Sequence, residues 1–415
     1  MNIEGAVVVV GAGHGGFTFV TALRQAGFVG PIHLISDENE LPYQRPPLSK
    51  ELLLGHKSSE TLVFRSEQFY EKNQVTMTLG DGVVSIDRGA RSVQLRSGRA
   101  VGYGHLVLAL GADALRLPIS GSDLPRVRYL RTLADARQLA PAVQDTASLV
   151  IVGGGLIGME VAAAATSHGV ATTVVEASKS IMGRAVSTTI AEYLQNLHRA
   201  RGVDVRLETA LTELRGNEIG SVDALVGNDE VLTADSVLIS AGARPRTALA
   251  TEAGLVVGDG IEVNEHLTTS DPNISAIGDC AHFDHSRYGR IRIESVQNAT
   301  DQARHVAARL AGTQPSSYRA VPWFWTTQFE TKVQMAGICT TNGPQVTLGD
   351  VAEGKFSVYR FNDDRLASVE SINAPGDHMA ARRLLTVPDP ITIGDVTAVG
   401  FDPKEIAKAM GPAQL

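Results

Sequence analysis

Cysteine is almost absent from the 415-residue chain: the two present, Cys280 and Cys339, lie far apart and outside any CxxC or CxxxxC spacing. Neither a disulfide framework nor a zinc or iron–sulfur site is encoded, and a reducing, cytoplasmic setting fits this usage. The eleven histidines show no HxxxH-type spacing, so no metal site is expected. An excess of cations is missing too. With 37 basic and 45 acidic side chains the net charge is −8, which disfavours general attraction to nucleic acid or to an anionic membrane and leaves only local basic patches. The nearest approach to a membrane-length apolar run, Leu149 to Thr166, is interrupted by four glycines and Glu160 and reads as buried strand, turn and helix. The opening MNIEGAVVVV places the acid Glu4 where an export signal needs basic residues, and no small-residue cleavage site follows. Export is not expected. Low-complexity stretches and short-period repeats are also lacking.

What is present is a globular balance, with 43% hydrophobic and 20% charged residues. At about 150 residues per domain, the length calls for two or three domains, each able to bury a core. Ala6 to Val10 is a continuous apolar run of the kind buried on both faces of a parallel sheet. After Gly16 the spacing turns helical through Phe17, Val20, Leu23 and Arg24, and Ile32 to Ile35 reads as the next strand. Leu149 to Val152, a glycine cluster, Leu156 to His168 and Thr172 to Val175 repeat that order. Further buried strands are expected at Leu106 to Leu110, Ser236 to Ser240 and Ile274 to Ile277, each running into a glycine, where α/β sheets place ligands. Past Val321-Pro322-Trp323 the texture changes. Strand-like runs at Val333 to Ile338, Phe356 to Phe361 and Leu366 to Ile372 precede helical stretches at Met379 to Leu385 and Pro403 to Met410.

Two glycine clusters carry chemistry. Gly11-Ala12-Gly13-His14-Gly15-Gly16 follows a strand and opens a helix, and Asp37 lies 21 residues beyond Gly16 at the end of the next strand. Gly153-Gly154-Gly155-Leu156-Ile157-Gly158 repeats the arrangement with Glu176 18 residues beyond Gly158. Such glycines permit a tight turn and close backbone approach, the helix amino end offers N–H groups to a diphosphate, and the acid accepts a ribose hydroxyl. One such cluster can be a simple turn. Two in the same context, each with its acid, imply two dinucleotides, and Gly242, beyond the Ser236 to Ser240 strand, is a further candidate contact in the second fold.

A chain with two dinucleotide folds invites a resident flavin dinucleotide in the first and a visiting nicotinamide dinucleotide in the second. Pro46-Pro47-Leu48-Ser49-Lys50, Tyr129-Leu130-Arg131-Thr132, Ile277-Gly278-Asp279-Cys280-Ala281, Ile293-Glu294-Ser295-Val296-Gln297-Asn298-Ala299 and Pro322-Trp323-Phe324-Trp325 resemble, end to end, the NADH-dependent ferredoxin reductases of the putidaredoxin reductase and aromatic-ring dioxygenase type. The resemblance implies an α/β fold like that of glutathione reductase, with two Rossmann-like dinucleotide-binding domains and a carboxy-terminal α+β domain. The expected division is FAD-binding 1–115 and 245–321, NAD-binding 116–244 and carboxy-terminal 322–415. Leu110-Gly111-Ala112-Asp113-Ala114 departs from the pattern, since the family more often has Thr at 110 and Pro near 114.

The family's roles, carried over residue by residue, place Lys50 at the isoalloxazine and pair it with Glu160, which lies in an apolar helix face where a charge needs a partner. A cation there would stabilise the negative charge that accumulates on flavin reduction. Asp279, which on its own reads equally well as a helix cap, is assigned to the FAD ribityl chain. The backbone N–H of Val296, at the start of a helix reaching about Leu310, is assigned to the flavin pyrimidine edge. Val83 and Arg131 match family FAD contacts, and Trp325 is placed beside the flavin, although core packing is the ordinary role of a tryptophan. Cys280 has no partner cysteine and reads as a small buried hydrophobe. The implied activity moves electrons from NADH through FAD to a 2Fe-2S ferredoxin that serves an oxygenase, a cytochrome P450 or a ring-hydroxylating dioxygenase. Arg65, Arg292 and Arg304 are docking candidates. The alternatives are an NADH oxidase or peroxidase, whose relatives usually carry a redox cysteine that residues 36–50 lack, a flavin monooxygenase, and a flavin-bearing nucleic-acid-binding protein resembling apoptosis-inducing factor, which the net charge disfavours.

Overall fold

The computed structural model describes residues 5–218, 220–227, 230–313, 317–340 and 343–410; Glu4, on which the reading of the amino terminus rests, lies outside them. The chain divides into two compact units, one of Met1–Arg45, Ser59–Asp113 and Ala243–Ala320, the other of Pro46–Ser58, Ala114–Gly242 and Val321–Leu415.

In the first unit, Val7–Val10 supplies four β-branched residues that are at most 6% exposed. Such a run needs neighbours on both sides. Parallel partners flank it at Ile32–Ile35 and His105–Leu108, and Val75–Thr78 and Ile274–Ala276 complete a five-stranded parallel sheet. The helix His14–Gln25 turns Gly15, Gly16, Phe19, Val20 and Leu23 inward, a helical period, and packs on the helix Val296–Leu310. Ser295 caps the latter, its hydroxyl accepting the Asn298 N–H at 3.0 Å. Cys280 is fully buried, and burial pushes its thiol up to about 11, so it is an inert packing residue at neutral pH.

The second unit repeats the topology. Its parallel sheet runs Asp204–Arg206, Ala171–Val175, Ser148–Val152, Ser236–Ile239, Val127–Arg128, with the glycine-bearing strand again third of five. The stretch singled out for its apolarity is the strand Ser148–Val152, a turn and the helix Leu156–Ser167. Among the described residues no helix is long and apolar enough to cross a membrane. Met159 to Ala165 are all buried in that helix, the composition of a helix packed on every side. An antiparallel meander covers Leu211–Gly216, Val222–Val226 and Glu230–Ala234.

The carboxy-terminal part of the same unit is a five-stranded antiparallel sheet in the order Trp323–Gln328, Thr331–Gly337, Arg365–Ile372, Lys355–Asn362, Gln345–Asp350. The helix Pro375–Leu384 packs on it, and Pro403–Ala409 packs on that helix. Three of these strands and both helices fall where the apolar spacing puts them. Glu370 joins this sheet to the nucleotide-binding part of the unit. It is 1% exposed, and its carboxylate accepts the Ser187 N–H at 2.7 Å and Arg360 Nη1 at 3.0 Å. Burial raises its carboxyl above the ordinary range, against the opposing pull of those donors. Replacing it, Glu370→Ala, takes the carboxylate from a largely buried guanidinium and strands the Ser187 N–H. Stability should fall by about 3 kcal/mol, read as a lower urea midpoint at unchanged slope; an unmoved midpoint would show that the pair only balances its own desolvation.

Candidate functional site

In the first cradle, Gly11 has φ +105° and a side chain on it would lie 2.2 Å from the Ala109 carbonyl oxygen. A Cβ on Gly16 would lie 1.9 Å from the Gly11 oxygen. Both positions demand glycine. Gly13 is different: its Cβ would meet only Arg45 Nε, at 3.7 Å, so its face is open except for a guanidinium. Arg45 is held there by Glu38, which also accepts the Tyr43 hydroxyl at 2.6 Å, and its guanidinium stacks over the Tyr43 ring. His14 begins the helix and sits edge-on to Phe64.

Around this cradle, Ala299 lies 3.7 Å (carbonyl oxygen) and 3.3 Å (Cβ) from the Cβ positions of Gly15 and Gly278, which gathers the helix start, the Gly278–Cys280 turn and Val296 into one neighbourhood. The Gly278 N–H donates to Gln302 Oε1 at 2.7 Å. Asp279 lies in a single 3₁₀ turn whose N-cap is Ile277. Asp37 sits with its Cβ 2.9 Å from the Cβ position of Gly82, next to Val83, and its carboxylate takes Arg246 Nη1 at 2.8 Å while Arg246 Nε reaches Asp113 at 2.6 Å.

The second cradle reproduces the first. Gly153 has φ +106°, its Cβ would lie 2.6 Å from the Ser240 oxygen, and that of Gly158 would lie 2.1 Å from the Gly153 oxygen. Nothing stands within 4 Å of the Cβ position of Gly155. Leu156 and Ile157 start the helix above it. Both cradles thus exclude side chains where the turn closes and leave the middle glycine open, the shape a dinucleotide diphosphate requires. Glu176 bridges the mouth, Oε2 accepting the Gly154 N–H at 2.8 Å and Oε1 the Ser178 N–H at 2.8 Å. Arg184 Nη2 lies 4.0 Å from the Cβ position of Gly242.

Lys50 and Glu160, 110 residues apart, share the second unit, and Lys50 Nζ donates to Glu160 Oε1 at 2.9 Å. The Ser49 hydroxyl donates to Oε2, and the Thr326 hydroxyl to Oε1 at 2.7 Å. Trp323 and Trp325 share one face of their strand, with ring centroids 5.5 Å apart, and Trp323 is wedged by the Arg382 guanidinium at 4.6 Å and the His378 ring at 5.3 Å. Trp323 packs on the carboxy-terminal core; Trp325, half-buried, leans on Trp323. Arg131 precedes the cap Thr132, and its backbone N–H donates to Asp135 at 3.0 Å.

Among the docking candidates, Arg292 exposes 12% of its side chain and is engaged by Asp259 and Glu294, whereas Arg65 is exposed and Arg304 is 61% exposed beside Asp301. Arg45 and Glu38 escaped the sequence reading. The available signal was an arginine directly before Pro46-Pro47-Leu48-Ser49-Lys50.

Residues 5–303 match the family described as pyridine nucleotide-disulphide oxidoreductase, and residues 323–407 match the reductase C-terminal family. The chain is 43% identical over 400 residues to rhodocoxin reductase of Rhodococcus erythropolis, covering 96% of this chain and 93% of that one. The crystal structure of the ferredoxin reductase for the CYP199A2 system from Rhodopseudomonas palustris superposes with a TM-score of 0.94 at 40% identity, covering 97% of this chain and all of that one. The reductase in the covalent putidaredoxin reductase–putidaredoxin complex superposes at 0.93, with 35% identity and 99% and 100% coverage.

The placement of Glu176 yields an expectation about nucleotide preference. A carboxylate already turned into the cradle mouth receives ribose hydroxyls as donors, whereas a 2′-phosphate brings a like charge. At about 4 Å and an effective dielectric near 20 that costs up to about 4 kcal/mol, a ceiling of roughly a thousandfold. NADH should therefore be used with higher kcat/KM than NADPH, and Glu176→Ala should shrink the ratio. Equal use by the wild type, or a ratio indifferent to the substitution, removes Glu176 from this role.

Proposed function

Because the chain belongs to the pyridine nucleotide-disulphide oxidoreductases, in the group that carries a reductase C-terminal domain, we propose that it is an FAD-dependent NADH:ferredoxin reductase that supplies an oxygenase. The observation that carries this reading is a combination within one chain. Both dinucleotide cradles and the Lys50–Glu160 pair are kept, while the redox cysteines of a disulfide reductase are absent, Cys280 being buried and inert. Without a dithiol to store electrons, the reduced flavin must hand them directly to an external acceptor, which in this reading is a one-electron carrier.

FAD, when bound, supplies the change from two-electron hydride uptake to one-electron release. The chain's own groups bind and orient. The amino end of the helix His14–Gln25, with Arg45 beside Gly13, would hold a diphosphate by charge-assisted hydrogen bonds. Asp37 and Val83 would meet the adenosine end, and Asp279, Arg131 and the Val296 N–H the rest of the FAD. Lys50 would offer a cation already fixed by Glu160, and Trp325, backed by Trp323, a rigid wall against which the nicotinamide is aligned. Gly153, Gly155, Leu156, Ile157, Gly158, Glu176 and Gly242 would receive NADH.

Residues 1–115 with 245–321 are assigned to FAD binding, 116–244 to NAD binding and 322–415 to the carboxy-terminal domain. A cytoplasmic location belongs to the same reading. The proposed partner is a 2Fe-2S ferredoxin met through Arg65 and Arg304.

NADH-driven reduction of cytochrome c with and without such a ferredoxin tests the function. Strong dependence on the ferredoxin is expected; equal rates would instead favour an oxidase. The same assay should slow as salt rises, because steering fades as the Debye length falls from about 10 Å at 0.1 M to about 3 Å at 1 M. Arg304→Glu should slow it at low salt, and full activity in that variant would sink the docking surface. Trp325→Ala should leave FAD bound yet slow its bleaching by NADH in stopped flow by about tenfold or more, since small misplacements of reacting groups are costly. An unchanged rate would return Trp325 to core packing.

A further inference from the structure

Glu160 is 6% exposed and takes donors on both oxygens: Lys50 and Thr326 on Oε1, Ser49 on Oε2. Behind Thr326 the hydrogen bonds continue inward with one polarity. Gln328 is fully buried, and its Nε2 lies 3.4 Å from Thr326 Oγ1 and 3.3 Å from Met182 Sδ, while its Oε1 faces His198 Nε2 at 2.9 Å. His198 is also fully buried, and burial pulls its pKa down to about 4, so it is neutral at pH 7 and donates from Nε2 to the amide oxygen. The amide oxygen being taken, the Gln328 N–H groups point toward Thr326, and the Thr326 hydroxyl proton is directed at Glu160. Thr326 and Gln328 are two apart on one strand, which puts both on the same face. Met182, the other contact of Gln328, donates its backbone N–H to the Gly154 oxygen of the second cradle at 2.8 Å.

A buried carboxylate has lost its water, and the donors that replace it also fix its plane. We propose that Thr326, oriented by Gln328 and His198, is a positioning residue for flavin reduction, holding the Glu160 carboxylate in one plane so that Lys50 is presented as a fixed cation. The inference rests on the reductase reading above. Its chemical reason is preorganisation, because a cation already in place needs no rearrangement when charge develops near it. Thr326→Val keeps the shape and deletes the donor, setting a methyl group against Oε1 and leaving Glu160 to Lys50 and Ser49 alone.

The test compares the holoenzyme with Thr326→Val, Thr326→Ser and Gln328→Met. Expected for Thr326→Val are wild-type FAD content, about tenfold slower bleaching by NADH with KM little changed, and a lower flavin midpoint potential, tenfold in equilibrium constant being about 30 mV for a two-electron couple. Thr326→Ser should bring rate and potential back, and Gln328→Met should move both in the same direction by less. Wild-type rate and potential in Thr326→Val overturn the proposal, as does a Thr326→Ser protein as impaired as the valine variant, which would make packing rather than the hydroxyl responsible. Should Thr326→Val fail to fold, an unmoved potential in Gln328→Met is decisive against it. A wild-type protein that NADH does not bleach refutes the reductase reading itself and this proposal with it.

Discussion

Glu160 sits in a helix whose neighbouring residues are Gly158, Met159, Val161 and a run of alanines, all buried, and a bare carboxylate there costs several kcal/mol. Much of the second unit follows from supplying its donors. The segment Pro46–Ser58, remote in sequence, groups with this unit and brings Ser49 and Lys50. The strand Trp323–Gln328 packs on the same helix and brings Thr326. That strand also carries Trp325, so the demand that satisfies a buried charge places an aromatic side chain three residues before Gln328 and one before Thr326.

The two cradles agree in strand order, in φ at the first glycine and in the contact that bars a side chain at the last, yet differ at the middle glycine. Arg45 borders Gly13 and is braced by Glu38 and Tyr43, whereas nothing lies within 4 Å of the Cβ position of Gly155. A preassembled guanidinium gives a diphosphate a bidentate partner at small entropic cost, while a bare turn offers only backbone donors. In the proposed reading, the first site would retain a resident dinucleotide and the second exchange a visiting one.

The cradles were legible because their cause is local. A glycine at φ +105° with a carbonyl 2.2 Å from its Cβ position leaves a mark that no other residue can replace, and the buried parallel strands announce themselves as apolar runs. The meander strands Leu211–Gly216 and Glu230–Ala234 and the strand Gln345–Asp350 are half exposed, so their alternation is diluted and the sequence does not announce them. The partners of Arg292, Asp259 and Glu294, meet it only in the folded chain, so its low exposure leaves no mark in the sequence. Thr326, Gln328 and His198 carry no sequence signature; their role exists because strand and helix pack, and periodicity records only that they face inward.

The division into units is interleaved along the chain, which passes from one unit to the other five times. The first unit's sheet lacks its edge strand until Ile274–Ala276 is made, and the second lacks the strand that completes its buried donor set until Gln328. At a synthesis rate of about 5–20 residues per second, the His105–Leu108 strand waits on the order of ten seconds with an unpaired edge, a site for wrong pairing. Neither unit can be shed as a fragment or fold behind the ribosome as an amino-terminal piece. The polypeptide is thus committed to late, long-range assembly, and its yield in a cell depends on protection of that waiting edge as much as on the stability of the finished molecule.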